Sequence, residues 1–229
     1  MDNSATILRA TDIYREFRTP DATLQVLRGI TLTMPRGEMV AVTGASGVGK
    51  STLLHLLGGL DRPTRGEVEI GGTVLTNKNE TQLAAFRNEH VGFVFQFHYL
   101  MEDFTALENV MIPMLVAGKS HSVAGKKAEQ MLAMVGLMDR ISHRPTELSG
   151  GEQQRVAVAR ALANDPGIVL ADEPSGDLDT TTGRMLHDLL FRLNREQNIA
   201  FLIATHNREL ADGCHRTLEI VEGKLCQTS

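Results

Sequence analysis

Three groups of residues in this chain have the types and spacing needed to handle phosphate, and the first is a loop. Gly44-Ala45-Ser46-Gly47-Val48-Gly49-Lys50-Ser51, followed by Thr52, fits the pattern G-x-x-x-x-G-K-[ST]. In that pattern the glycines let successive backbone N–H groups turn inward around a β-phosphate, and the helix that follows adds its dipole to the same anion. Lys50 reaches the β- and γ-phosphates, and the Ser51 hydroxyl ligates magnesium. A glycine-rich turn that merely precedes a lysine would share this composition. The apolar strand before the loop and the helical run Thr52 to Leu57 after it argue for a nucleoside triphosphate site instead.

The second group is acidic. Asp172 and Glu173 end the apolar run Ile168-Val169-Leu170-Ala171, and open α/β sheets bind their ligands at such strand ends. Asp172 fits the acid that holds magnesium, directly or through water. Glu173 alternates to the other side of the strand and can polarise an attacking water as general base. Taken alone, the pair reads equally well as a strand turning polar where it leaves the core. His206 ends the apolar run Phe201 to Thr205, so a parallel strand brings its imidazole to the same sheet edge, within reach of a γ-phosphate. A lone histidine at a strand end is more often just a surface residue.

The third group is Leu148-Ser149-Gly150-Gly151-Glu152-Gln153-Gln154-Arg155, ahead of the helical run Val156 to Ala163. Ser149 and Glu152 form a capping box. Two glycines in a first turn cost about 1 kcal/mol each relative to alanine in a helix interior. They also clear side chains from N–H groups that can then meet an anion, which suits a second phosphate-contacting surface.

These residues need a scaffold that brings distant segments to one edge. The apolar runs Met39 to Thr43, Val91 to Phe95, Ile168 to Ala171 and Phe201 to Thr205 lack polar alternation. That is expected of strands buried on both faces of a parallel sheet. Helical patterns follow the first and third and precede the fourth, giving an α/β chain. Gly66 to Val74 alternates and turns at Gly71-Gly72, which predicts a half-exposed hairpin in a small antiparallel sheet near the N-terminus. Between Gln96 and Ala163 the period becomes helical, over Ala106 to Ala117, Val123 to Val135 and Glu152 to Ala163. A helical lobe inserted between sheet strands accounts for this.

With 229 residues, the chain is long enough for one domain with such an insertion. A net charge of -5 argues against an electrostatic grip on nucleic acid. The start, Met1 to Phe17, carries Asp2, Asp12 and Glu16 and lacks the apolar stretch of a secretory signal, which predicts a cytosolic chain. No apolar run reaches the roughly 18 residues of a membrane-spanning helix, so a membrane role would have to come through another protein. Cys214 and Cys226 lack paired spacing and are expected to be free thiols.

Taken in order along the chain, these motifs resemble the ATPase subunits of ABC transporters across nearly the whole length. Leu148 to Glu152 looks like the family signature and Gln96 after Phe95 like the Q-loop glutamine. Ser175-Gly176-Asp177-Leu178-Asp179 looks like the D-loop, and His206 like the switch histidine. Phe17 is similar in position to the aromatic residue that stacks on adenine, where tyrosine is more usual; Tyr14 is the neighbouring alternative. Phe95 to Leu100, Thr105 to Val110 and His143-Arg144-Pro145 resemble the lipoprotein-releasing members, with macrolide-exporter and cell-division ATPases as close relatives.

The resemblance implies a P-loop NTPase (RecA-like) fold, mostly parallel, with residues 1–96 and 160–229 forming the core and its antiparallel β subdomain, and 97–159 the helical signature subdomain. It implies ATP and magnesium as cofactors, the metal being held by Ser51, Gln96 and Asp172. Lys50, Glu173 and His206 would act in hydrolysis. It also implies an ATP-dependent head-to-tail homodimer in which Ser149, Gly150, Gly151 and Glu152 of one copy face the nucleotide of the other. Integral membrane subunits would be the partners, placing the chain peripherally at the cytoplasmic face of the inner membrane. The family's membrane subunits insert a coupling helix beside Gln96; Phe97, Tyr99, Leu100, Met101 and Phe104 either line that groove or are core of the lobe. Asp177 stands where related transporters often carry Asn or Ala, and it is expected not to touch the residues that hold nucleotide.

Overall fold

The computed structural model describes residues 6–18 and 23–227, so the first five residues of the stretch Met1 to Phe17 lie outside it. Four runs of β-branched and large apolar residues form the strands β3 (Met39–Thr43), β6 (Val91–Val94), β7 (Ile168–Asp172) and β8 (Ala200–Ala204). They run parallel, in the order β3-β8-β7-β6. Two more strands, β9 (Arg216–Val221) and β10 (Lys224–Gln227), extend the sheet beyond β3. β9 is parallel to β3, and β10 turns back antiparallel along β9. In register, Val42 and Asp172 both face Ala204. The carboxyl ends of three neighbouring strands therefore lie at one level, and the segments that follow them start side by side.

A second sheet, antiparallel in the order β2-β1-β4-β5, is built from β1 (Thr6–Arg18), β2 (Thr23–Pro35), β4 (Arg65–Ile70) and β5 (Thr73–Val74). The Gly66 to Val74 hairpin is present, turning at Gly71 and Gly72 with φ of 56° and 81°, a region open to glycine at little cost. The dominant strands β1 and β2 were not foreseen. Their pairing carries register shifts around Ala10/Ile13 and Arg15/Glu16, and Asp12 has a φ of 53°. Such bulges break the period of two on which strand recognition depends.

Between β6 and β7 the chain forms α3 (Ala106–Val116), α4 (His121–Met134) and α5 (Gly150–Ala161). Each starts on a Ser or Thr whose side chain accepts a first-turn N–H, from Glu108, Val123 and Glu152 respectively. Alanines at 124, 128, 157 and 159 and Met111 and Met114 pack this lobe into a core continuous with Val169, Leu190 and Phe201 of the sheet layer. A separate core joins the antiparallel sheet to the other sheet face and to α1 (Lys50–Leu57), through Leu27, Leu54, Leu57 and Leu202. The remaining helices are α2 (Glu80–His90), α6 (Thr180–Gln197) and α7 (Arg208–Asp212). No helix among the described residues is long and apolar enough to cross a membrane.

Candidate functional site

The phosphate loop leaves β3 and enters α1 through glycines at φ of 140° (Gly44), 76° (Gly47) and 108° (Gly49). A Cβ on Gly44 would lie 2.9 Å from the Ile220 carbonyl oxygen, and one on Gly49 2.8 Å from Val26. Backbone conformation and space thus both require glycine at these two positions. Lys50 is only 9% exposed, and its ammonium donates to the Gly44 and Ala45 carbonyls at 3.0 and 3.1 Å.

Beside this loop is a cavity of about 420 Å³ lined by Ser46, Gly47, Gly49, Lys50, Ser51, Thr52, Gln96, Asp172, Glu173 and His206. Segments more than 150 residues apart in sequence meet here because strand ends β3, β7 and β8 are adjacent. Asp172 Oδ1 is buried without a hydrogen-bond partner. An orphaned carboxylate oxygen next to a serine hydroxyl and an amide is a hard-oxygen donor set that suits magnesium. The residues therefore fit the metal.

Glu173 does not alternate away from Asp172, as strand geometry predicts; both line the same cavity. The reason is local: Glu173 lies past the end of β7 with a φ of 45°, its N–H bonded to the Ala204 carbonyl at 2.8 Å. A non-glycine residue in this region carries strain that the surroundings must hold. Its carboxylate accepts from the His206 backbone N–H at 3.2 Å and lies 2.9 Å from His206 Nδ1.

Asp177, expected to stand clear of the residues that hold nucleotide, touches one of them. Gln96 Nε2 donates to Asp177 Oδ1 at 2.8 Å. The D-loop turns back from Glu173 through a Gly176 N–H to Glu173 carbonyl bond of 2.9 Å, and this brings Asp177 against the Q-loop. Sequence gives little sign of a pair 81 positions apart.

Phe17 and Tyr14 both lie outside the cavity lining. Tyr14 is half-buried, with the Arg65 guanidinium 4.0 Å from its ring centre. Phe17 is the more open, with Arg15 over it at 4.6 Å.

Ser149, Gly150, Gly151 and Glu152 are also absent from the cavity. They form the start of α5, near Leu178 and Thr182. Both halves of the capping box are made: Glu152 accepts from the Ser149 N–H and hydroxyl, each at 2.8 Å, and the Glu152 N–H donates to Ser149 Oγ at 3.3 Å. Arg140, which the sequence did not single out, pairs with Glu152 at 3.0 Å. The Ser149 bonds foremost, with Arg140 behind them, hold the Glu152 carboxyl down to about 2. Its folded value is depressed, so its stabilising charge is complete above the ordinary carboxyl range and is lost as pH falls from about 4.5 towards 2. The stability gap between wild type and Glu152→Gln, followed by circular dichroism, should be constant above pH 5 and shrink below it. A gap independent of pH down to 2 would contradict this.

Two further ties were missed. Buried Gln154 donates from α5 to the Phe95 carbonyl at 2.8 Å, and Arg160 donates to the His98 and Tyr99 carbonyls at 2.7 Å each. A Gln or Arg on an apolar helix face was the only available signal.

Residues 27–176 match the family profile described as ABC transporter. The chain is 48% identical over 221 residues to the lipoprotein-releasing system ATP-binding protein LolD of Geobacter metallireducens, covering 96% of this chain and 98% of that one. It is 53% identical over 211 residues to LolD of Porphyromonas gingivalis, covering 92% and 96%. Among solved structures, the dimeric post-hydrolysis state of the ATP-binding cassette MJ0796 bound to ADP and Pi superposes with a TM-score of 0.87 at 36% identity, covering 96% of each chain.

Proposed function

The chain belongs to the ABC transporter family as an ATP-hydrolysing subunit of LolD type, and from that premise we propose that two copies pair head to tail to energise lipoprotein release from the inner membrane. The observation that carries the pairing is the split site. The cavity gathers the phosphate loop, Asp172, Glu173, Gln96 and His206, while the Ser149 to Glu152 segment opens elsewhere on the same chain. A second copy placed head to tail supplies the missing face.

In this reading the N–H groups of residues 44–52 and the Lys50 ammonium hold the β- and γ-phosphates. Magnesium, when bound, neutralises charge on the phosphate oxygens; Ser51, Asp172 and Gln96 are the residues that would hold it. Glu173 takes the proton from the attacking water. His206, whose backbone N–H donates to Glu173 and whose Nδ1 lies 2.9 Å from the same carboxylate, holds that carboxylate in place and presents its other nitrogen to the γ-phosphate. Ser149 and Gly151 of the second copy complete the γ-phosphate contacts. The Ser149 hydroxyl, which donates to Glu152 in the single chain, turns to the phosphate on closure. Because ATP binds the closed pair better, binding closes it and hydrolysis releases it. The helical segment 97–159 moves on the core 1–96 and 160–229 as this happens.

The membrane partners dock on the groove between lobe and core. It is a cavity of about 370 Å³ lined by Leu60, Phe93, Phe95, Ile112 and Val116 among others. Phe97, Tyr99, Met101 and Phe104 are exposed, from 42% to 64%, while Leu100 is buried. None of these five lines the groove itself, but Tyr99 packs edge-on against Phe95 of its wall, ring centres 5.6 Å apart. The four exposed apolar side chains thus extend it as a patch that suits a partner, and docking there holds the chain at the cytoplasmic face of the membrane. Tyr99→Ala should reduce recovery of the membrane subunits in co-purification severalfold and leave nucleotide binding intact; undiminished recovery would sink this docking reading. Leu100 is unsuited to the test, since truncating a buried leucine costs about 2–5 kcal/mol of stability. Reconstitution with LolD-type membrane subunits and a lipoprotein in proteoliposomes tests the function as a whole: ATP-dependent release supports it, and ATP turnover without release refutes it.

A further inference from the structure

We propose that Asp177 is a positioning residue that fixes which end of the Gln96 amide faces the phosphate and metal cavity. The inference rests on the reading of that cavity as a nucleotide and magnesium site. An amide side chain presents nearly isosteric oxygen and nitrogen ends, and only its partners decide between the two orientations. Asp177 Oδ1 receives Nε2 at 2.8 Å. A carboxylate accepts and cannot donate, so it takes the nitrogen end alone, in a charge-assisted bond. Oε1 has no partner among the described residues, and Gln96 lines the cavity with Ser51 and Asp172. The oxygen, the end a magnesium ion can use, is therefore the end left free.

Space enforces the arrangement. A Cβ on Gly176 would stand 3.1 Å from both Cδ and Nε2 of Gln96 and 3.2 Å from Cγ, with no positive φ to explain the glycine. Gly176 lets the D-loop approach, and its N–H, bonded to the Glu173 carbonyl at 2.9 Å, ties the approach to the residue after Asp172. An asparagine at 177 has the same shape but can donate as well as accept, so both amide orientations of Gln96 become possible. Charge type, rather than size, is what Asp177 contributes.

The test is a Mn2+ titration of the full-length protein with a non-hydrolysable ATP analogue, read by electron paramagnetic resonance, beside analogue binding without metal. Loss of an outer-shell partner of this kind weakens metal binding by roughly tenfold or more. Asp177→Asn and Asp177→Ala should each raise the Mn2+ half-saturation by about tenfold, Asp177→Glu should recover most of it, and Gln96→Ala/Asp177→Ala should be no worse than Gln96→Ala. A Mn2+ curve for Asp177→Asn that overlays wild type, with metal-free analogue binding intact, overturns the Asp177 assignment alone. A double variant weaker than Gln96→Ala by the full Asp177→Ala factor also overturns it. Failure of wild type to bind the analogue would instead refute the nucleotide reading beneath it.

Discussion

Glu173→Gln should bind ATP, lose about two to four orders of magnitude in turnover, the range a positioned general base supplies, and remain as a dimer while ATP is present. Glutamine has the volume of the native side chain and keeps a carbonyl oxygen that can accept from the His206 N–H, now 3.2 Å from Glu173 Oε2. It cannot take a proton from water. Among the described residues Glu173 makes no hydrogen bond to the phosphate loop, so the proposed phosphate contacts should keep their geometry. Nucleotide that binds the closed pair and is not consumed holds the pair by mass action. Size-exclusion chromatography with ATP and magnesium should give the dimer for the variant. Strictly monomeric elution with ATP demonstrably bound would remove the pairing, and turnover within tenfold of wild type would remove Glu173 from proton transfer.

Lys50→Met should separate stability from binding. Lys50 is nearly buried, and among the described residues its hydrogen-bond partners are the carbonyls of Gly44 and Ala45, with no carboxylate in contact. A buried ammonium without a counter-charge costs stability, and a well-packed apolar side chain of similar length removes that cost. The variant should melt a few degrees higher than wild type without nucleotide, since about 1 kcal/mol moves the midpoint by roughly 2–4 °C for chains of this size. The same change removes the charge proposed to meet the β- and γ-phosphates. ATP at a hundred times its wild-type Kd stabilises the native protein by about 2.7 kcal/mol, and the variant should show none of it. Differential scanning fluorimetry with and without ATP reads both effects; an undiminished ATP-dependent rise in Lys50→Met would refute the role of Lys50.

Which residues gather in the cavity was easier to read in the sequence than the frame around them. The loop from Gly44 to Thr52 is legible because its glycines, lysine and serine are contiguous and its flanks are a strand and a helix. The buried strands were legible for a related reason: Val40, Leu170 and Leu202 are apolar whichever face they present. What escaped depends on geometry that spacing does not encode. β1 and β2 are interrupted by bulges, and α2 buries only Leu83 and Phe86, so neither displays its period. In the structure α2 starts on an Asn79–Gln82 capping box. The turn at Glu173 redirects one carboxylate by a single positive φ. The contacts of Gln96 with Asp177 and of Gln154 with Phe95 join segments that only the closed sheet edge brings together.

If the copies pair as proposed, the Gln154 contact also decides which copy a membrane subunit would respond to. In the proposed pair, Gln154 lies on the helix whose first turn would face the second copy's ATP, and its side chain is pegged to the Phe95 carbonyl, beside the groove proposed for the membrane partner. The wiring of such a pair would be crossed: each membrane subunit, touching one copy, would hear through that peg about the nucleotide seated in the other. In a pair with a single Glu173→Gln copy, the arrest would be felt first by the membrane subunit docked on the intact one.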